Sequence, residues 1–142
     1  MESGLTACTF RQSLLLVSRS SKGTDDVNAV DEDGNPVLDE DGVQVVTKGL
    51  KSNAIAQTKV TASGLLAPTD WMVIKAAEVS GYTVPADITT YRAAVRTASN
   101  TIETAITGAA DHAAFMALYN APVDADGNPT GNAPINDWPD EV

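Results

Sequence analysis

Between Ile88 and Ala105 the residues Ile88, Tyr91, Val95, Ala98, Ile102 and Ala105 form an apolar series spaced 3, 4, 3, 4 and 3. That spacing belongs to a helix of about five turns carrying an a/d seam of the coiled-coil type. Arg92, Arg96 and Glu103 fall off the seam and are expected to stay in water. The seam must be covered, because burying one Ile or Val there contributes roughly 1.5–3 kcal/mol. Two covers fit. The seam is either the interior of a small helical hairpin, packed on Trp71, Phe115 and Leu118, or the centre of a homo-oligomeric bundle, with a trimer favoured.

Punctuation residues divide the rest of the second half. Pro68 blocks backward extension of a helix, and Thr69 or Asp70 suits an N-cap. Trp71, Ile74 and Ala77 or Glu78 then recur at helical spacing up to Gly81, which predicts a short helix over 70–80. The seam helix follows Pro85 and breaks at Gly108. A third helix starts with Asp111 as N-cap, presents Phe115 and Leu118, and ends near Asn120. The segment 121–142 is rich in Pro, Gly and Asn and is expected to be an extended or disordered arm, with Trp138-Pro139 as its one sticky feature.

Residues 1–62 read as β. A β-compatible stretch runs from Leu5 to Ser18, Val43 to Thr47 has strand composition, and Val37-Leu38 sits between Asp33-Gly34 and Asp41-Gly42. Aspartate followed by glycine suits the positive φ of tight hairpin turns. A third β piece is expected over Ala54 to Val60. The run Val30-Asp31-Glu32-Asp33-Gly34-Asn35-Pro36 returns as Val123-Asp124-Ala125-Asp126-Gly127-Asn128-Pro129, the same turn used twice. The expectation is therefore α+β: a hairpin-rich part over 1–62 with an acidic loop, a bundle of about three helices over 63–120, and an arm over 121–142.

Composition narrows the functional classes. Among 142 residues, 43 % are apolar but only 5 % aromatic, so the core should be thin. A net charge of −10, with nine Lys and Arg that do not cluster, disfavours nucleic acid and anionic membrane surfaces as partners. Eight acidic residues and no basic ones lie between Asp25 and Asp41, the pattern of a solvated loop region. No run has the length of a membrane span, and no export signal is expected.

No catalytic machinery is legible. Cys8 is the only cysteine and His112 the only histidine, which leaves no disulfide, no cysteine- or histidine-based zinc site and no evident Cys–His pair. Cys8 reads as a small buried hydrophobe in a reducing compartment or a disulfide-free particle. An EF-hand loop counted from Asp31 puts glycine at the fourth position instead of the sixth and Gly42 at the twelfth; counted from Asp124, the twelfth is Ile135. Nucleophile-elbow and phosphate-loop patterns are missing too. The expectation is a protein that is no enzyme and uses no cofactor or metal. Its contact residues would be Trp71, Ile74, Ile88, Tyr91, Val95, Ile102, Phe115, Leu118 and Trp138.

Three segments carry a resemblance. They are Gly64-Leu65-Leu66-Ala67-Pro68-Thr69-Asp70-Trp71-Met72-Val73-Ile74-Lys75, then Tyr91-Arg92-Ala93-Ala94-Val95-Arg96, then Asp137-Trp138-Pro139. In this order they resemble the C-terminal region shared by bacteriophage tail and tail-fibre assembly chaperones and by tail-fibre or baseplate proteins. The alanine-rich stretch from Thr97 to Tyr119 is longer than in the chaperone type, and the first 62 residues match no chaperone pattern. The resemblance implies a virion structural protein of the tail, baseplate or fibre, assembled in the host cytoplasm and contacting other tail proteins. A non-virion tail-fibre assembly chaperone is the alternative, and an acidic protein-binding module unrelated to tails is the second.

Overall fold

The computed structural model describes residues 23–142. A two-stranded antiparallel pair, β1 (Val27–Asn28) and β2 (Val46–Thr47), precedes three helices: α1 (Leu50–Glu78), α2 (Ala86–Gly108) and α3 (His112–Ala117). A 3-10 turn at Pro134–Asn136 lies in the C-terminal segment. This is the coarse α+β arrangement read from the sequence. The stretch expected as a strand over Leu5 to Ser18 lies outside the described residues.

The largest departure is α1. The Ala54–Val60 segment expected as β is helical, so the helical part starts at Leu50 rather than at 63. Alternation of Ala and Thr with Ile, Gln and Lys fits either period; packing decides between them. Ala54, Thr58, Ala62 and Thr69 are the buried residues of α1 and lie on one helical face. Pro68, expected to start a helix, lies inside one. Interior proline forfeits a backbone bond and crowds the preceding turn, at about 3 kcal/mol. Contacts from α2, described below, hold the helix through it. The helix ends at Glu78, and Gly81 turns the chain at φ 87°.

The second helix follows Pro85 and ends at Gly108, as its punctuation predicted. Its buried residues are Ile88, Tyr91, Arg92, Val95, Ser99, Ile102 and Ile106. Beyond Val95 the stripe therefore runs through Ser99 and Ile106 instead of Ala98 and Ala105, which are half-buried at its edge. A helix of 3.6 residues per turn drifts away from a strict seven-residue repeat, and α2 shows that drift. Arg92, expected in water, is buried. Asp111 caps α3 by accepting the Ala114 N–H at 2.7 Å.

Helices α1 and α2 pack as an antiparallel hairpin with two buried clusters. One gathers Ala54, Ile102, Ile106, Ala109 and Phe115, with Leu118 and Ile135 against it; the other gathers Ala62, Tyr91 and Val95, flanked by Leu65 and Leu66. Small residues on α1 oppose large ones on α2, which makes the core thin. Buried hydroxyls are satisfied locally: Thr58 donates to the Ala54 carbonyl at 2.9 Å and Ser99 to Glu103 at 2.9 Å. Trp138 packs against both clusters, so the C-terminal arm is laid back along the hairpin, fastened also by Ile135 N–H to the Leu118 carbonyl at 3.0 Å. Among the described residues no helix is long and apolar enough to cross a membrane.

Candidate interaction site

The guanidinium of Arg92 reaches from α2 into the turn of α1 that contains Pro68. Its Nη1 donates to the Leu66 carbonyl at 3.0 Å and to Thr69 Oγ1 at 2.6 Å, and its Nη2 donates to Asp70 Oδ1 at 2.7 Å. Thr69 Oγ1 in turn donates to the Leu66 carbonyl at 2.9 Å. Only a planar fork of donors serves three acceptors spread over one helical turn. The side chain of Arg92 is 10 % exposed while that of Asp70 is 54 % exposed, so the carboxylate keeps part of its hydration and the ion pair avoids the full cost of burial. The Nε of Arg92 has no partner among the described residues. Here the proline in α1 is braced, and the Thr-Asp and Tyr-Arg segments meet.

The brace sets the direction of Trp71. Thr69 faces α2, and two residues on is about 200° further round the helix. Trp71 is consequently 53 % exposed and Ile74 57 % exposed. Trp71, one of the residues expected to pack on the seam of α2, faces outward instead, and Ile74 faces outward beside it. Lys75 Nζ lies 5.8 Å from the centroid of the Trp71 ring and 4.5 Å from that of Tyr82, within cation–π range of both. Of the other predicted contact residues, Ile88, Tyr91, Val95, Ile102 and Phe115 are buried, while Leu118 and Trp138 are half-buried.

At the other end of α1 stands a module of repeated turns over 27–47. Asp31 Oδ1 accepts the backbone N–H of Asp33 at 3.0 Å and of Asn35 at 2.8 Å, and Asp39 Oδ1 accepts those of Asp41 and Val43 at 3.0 and 2.8 Å. Asp124 repeats the arrangement with Asp126 and Asn128 at 2.9 and 2.8 Å. Each turn places its glycine (Gly34, Gly42, Gly127) at φ between 78° and 85°. The repeat is thus used three times; the copy at Leu38-Asp39-Glu40-Asp41-Gly42 escaped sequence comparison because Val43 and Gln44 replace Asn and Pro. Hydrogen bonds to Asn35, first from its backbone and then from its side chain, hold the Asp31 carboxyl below the usual aspartate range. Asn128 does the same for Asp124.

Within this module three strand segments close a ring. Val37 N–H donates to the Ala29 carbonyl at 3.0 Å, Val45 to Val37 at 2.8 Å and Ala29 to Val45 at 2.8 Å. Gln44 Nε2 lies 2.6, 3.3 and 3.5 Å from the same three carbonyls of Ala29, Val37 and Val45. Two sides of the ring are closed by the aspartate turns, and the third is the β1–β2 stem. The stem is fixed to α1 by Asp26 Oδ1, which accepts the Gly49 N–H at 2.7 Å, and by Leu50 N–H to the Gly23 carbonyl at 3.0 Å. Gly49 is required there because a Cβ would run into the Asp25 backbone carbonyl. Val30 and Leu38 on the ring are 60 % and 55 % exposed.

An open groove of about 730 Å³ runs between α2 and the arm, lined by Ala94, Ala98, Ala105, Pro122 and Trp138 among others. Its walls carry amides, hydroxyls and one carboxylate, Asp137, with no histidine or cysteine. Among the described residues no group of three or more His, Cys, Asp or Glu is arranged to hold a metal ion. His112 is exposed on the first turn of α3. Cys8 lies outside the described residues. The arrangement displays surfaces on a braced hairpin. Comparison with family models, with curated proteins and with solved structures finds no match.

Proposed function

We propose that this chain is a structural component of a bacteriophage particle, in the tail, baseplate or tail fibre, acting by protein–protein attachment rather than by catalysis. One observation carries the reading: the three segments on which the resemblance rests converge in space. Arg92 of the Tyr-Arg segment grips Thr69 and Asp70 of the Thr-Asp-Trp segment, and Trp138 of the Trp-Pro segment packs on the cluster of Tyr91 and Val95. Residues that recur together in order serve one brace, whose product is an outward-facing Trp71. Its partners in this reading are other tail, baseplate or fibre proteins and further copies of itself, with a trimer favoured.

A second reading is a non-virion tail-fibre assembly chaperone, and the uncovered Trp71 and Ile74 favour it, since a holder of unassembled fibre needs an apolar surface. Mass spectrometry of washed particles separates the two. The structural reading expects the chain in particles at a fixed ratio to the major tail protein. Absence from particles, with recovery on unassembled fibre from the lysate, would replace it by the chaperone. Recovery on neither would leave an acidic binding module unrelated to tails.

A further inference from the structure

The outer face of α1 has a pattern of its own. Val60, Gly64, Ala67, Trp71 and Ile74 recur at spacings of 4, 3, 4 and 3, and all five are exposed. Val60 is 64 %, Trp71 53 % and Ile74 57 % exposed. The opposite face, through Ala54, Thr58, Ala62 and Thr69, is already spent on α2. Helix α1 is therefore apolar on two sides, the distribution of a helix with neighbours on both. The stripe is about 21 Å long, two heptads at 1.5 Å per residue. Gly64 and Ala67 at its centre leave room for close approach, and nothing lies within 4 Å of a Cβ placed on Gly64.

We infer that this face is where copies of the chain associate, as parallel, in-register helices around a common axis. The flanking charges choose the occupant and its direction. With Val60, Ala67 and Ile74 at d and Gly64 and Trp71 at a, Asp70 falls at g and Lys75 at e. They are five residues apart, the offset at which a g residue meets the e residue of a parallel neighbour. An antiparallel neighbour centred on the stripe would set Asp70 near Ser63 and Lys75 near Thr61, and would gain no such pair. Asp70 gives one carboxylate oxygen to Arg92 and remains 54 % exposed, so its other oxygen is open to the neighbour's Lys75. The seam of α2 cannot serve this purpose, because α1 covers it. The inference names the face for the self-association in the proposed function, yet needs no phage particle for its test.

The test uses the full chain with Cys8→Ser, followed by sedimentation velocity up to tens of micromolar and by mild oxidation of single-cysteine variants. The chain is expected to sediment as a dimer or trimer. Ile74→Asp should weaken association about thirtyfold or more, the loss of a hot-spot side chain. Its circular dichroism and melting temperature should be unchanged when compared at a concentration where both chains are monomeric. Ala67→Cys should form 67-to-67 disulfides between copies, while Thr97→Cys, exposed on α2, should not. Lys75→Asp should weaken association as well. A monomer throughout the range, an oligomer indifferent to Ile74→Asp, or cross-linking at Thr97→Cys as fast as at Ala67→Cys would each overturn the inference. Such a failure would leave the particle measurement, and with it the tail reading, untouched.

Discussion

Arg92 ties α2 to three acceptors on one turn of α1. Lysine at that position offers a point charge where three acceptors need a fork, so Arg92→Lys should cost about 1–3 kcal/mol in chemical denaturation. Arg96→Lys, on the exposed side of the same helix, should stay within about 0.5 kcal/mol. An equal effect at both positions would contradict the brace. The turn aspartates make a separate prediction about pH. The folded-state pKa values of Asp31 and Asp124 are depressed, so the stability they contribute is complete above the ordinary aspartate value, about 4. It is lost as pH falls below that value through the folded one. Followed by NMR, the Asn35 and Asn128 amides should shift with midpoints below that of a free aspartate. Midpoints at or above it would mean the carboxylates do not accept those bonds. The turns were legible from their Asp-Gly steps, but the brace was not: Arg92 sits one place off the predicted seam, and periodicity cannot tell a solvated arginine from one that reaches across to a neighbouring helix.

At the scale of elements, the parts with strong punctuation and strong periodicity were readable. Helix α2 begins after Pro85 and ends at Gly108, and α3 is capped by Asp111, because proline, glycine and aspartate act locally. Only the end of α1 was readable, as the helix expected over 70–80; its Ala-, Thr- and Ser-rich first half has no single apolar stripe, and Pro68 mimics a start signal. Tertiary contact overrides both local preferences. The core of α2 yields the next prediction. Ile102 is 1 % exposed, so Ile102→Ala should cost about 2–5 kcal/mol. Ile102→Asp should abolish cooperative unfolding, because it buries an unpaired charge. Unchanged helicity and melting in the aspartate variant would show that another face of α2 is the buried one. Trp138→Ala should release the arm at about 1.5–3 kcal/mol, the worth of a large apolar side chain. The release would be seen as faster hydrogen exchange at Ile135, whose amide bonds the Leu118 carbonyl.

Over residues 23–142 the molecule is a braced helical hairpin with a ring of acidic turns at one end and an aromatic residue turned outward along its length. Composition anticipated the thin core, and the core is thin because alanines and threonines of α1 face the isoleucines and valine of α2. It did not anticipate that the apolar residues of α1 divide between an inner and an outer face, since Trp71 and Ile74 look like core residues in any helical reading. In the function proposed here, their exposure is the surface offered to a neighbour. The most direct measurement is hydroxyl-radical footprinting of Trp71 in washed particles against the dilute free chain, read by mass spectrometry. The account predicts that the chain is present in the particles and that Trp71 is strongly protected there while oxidised readily in the free chain. Absence of the chain from particles, or equal oxidation of Trp71 in both states, would contradict it.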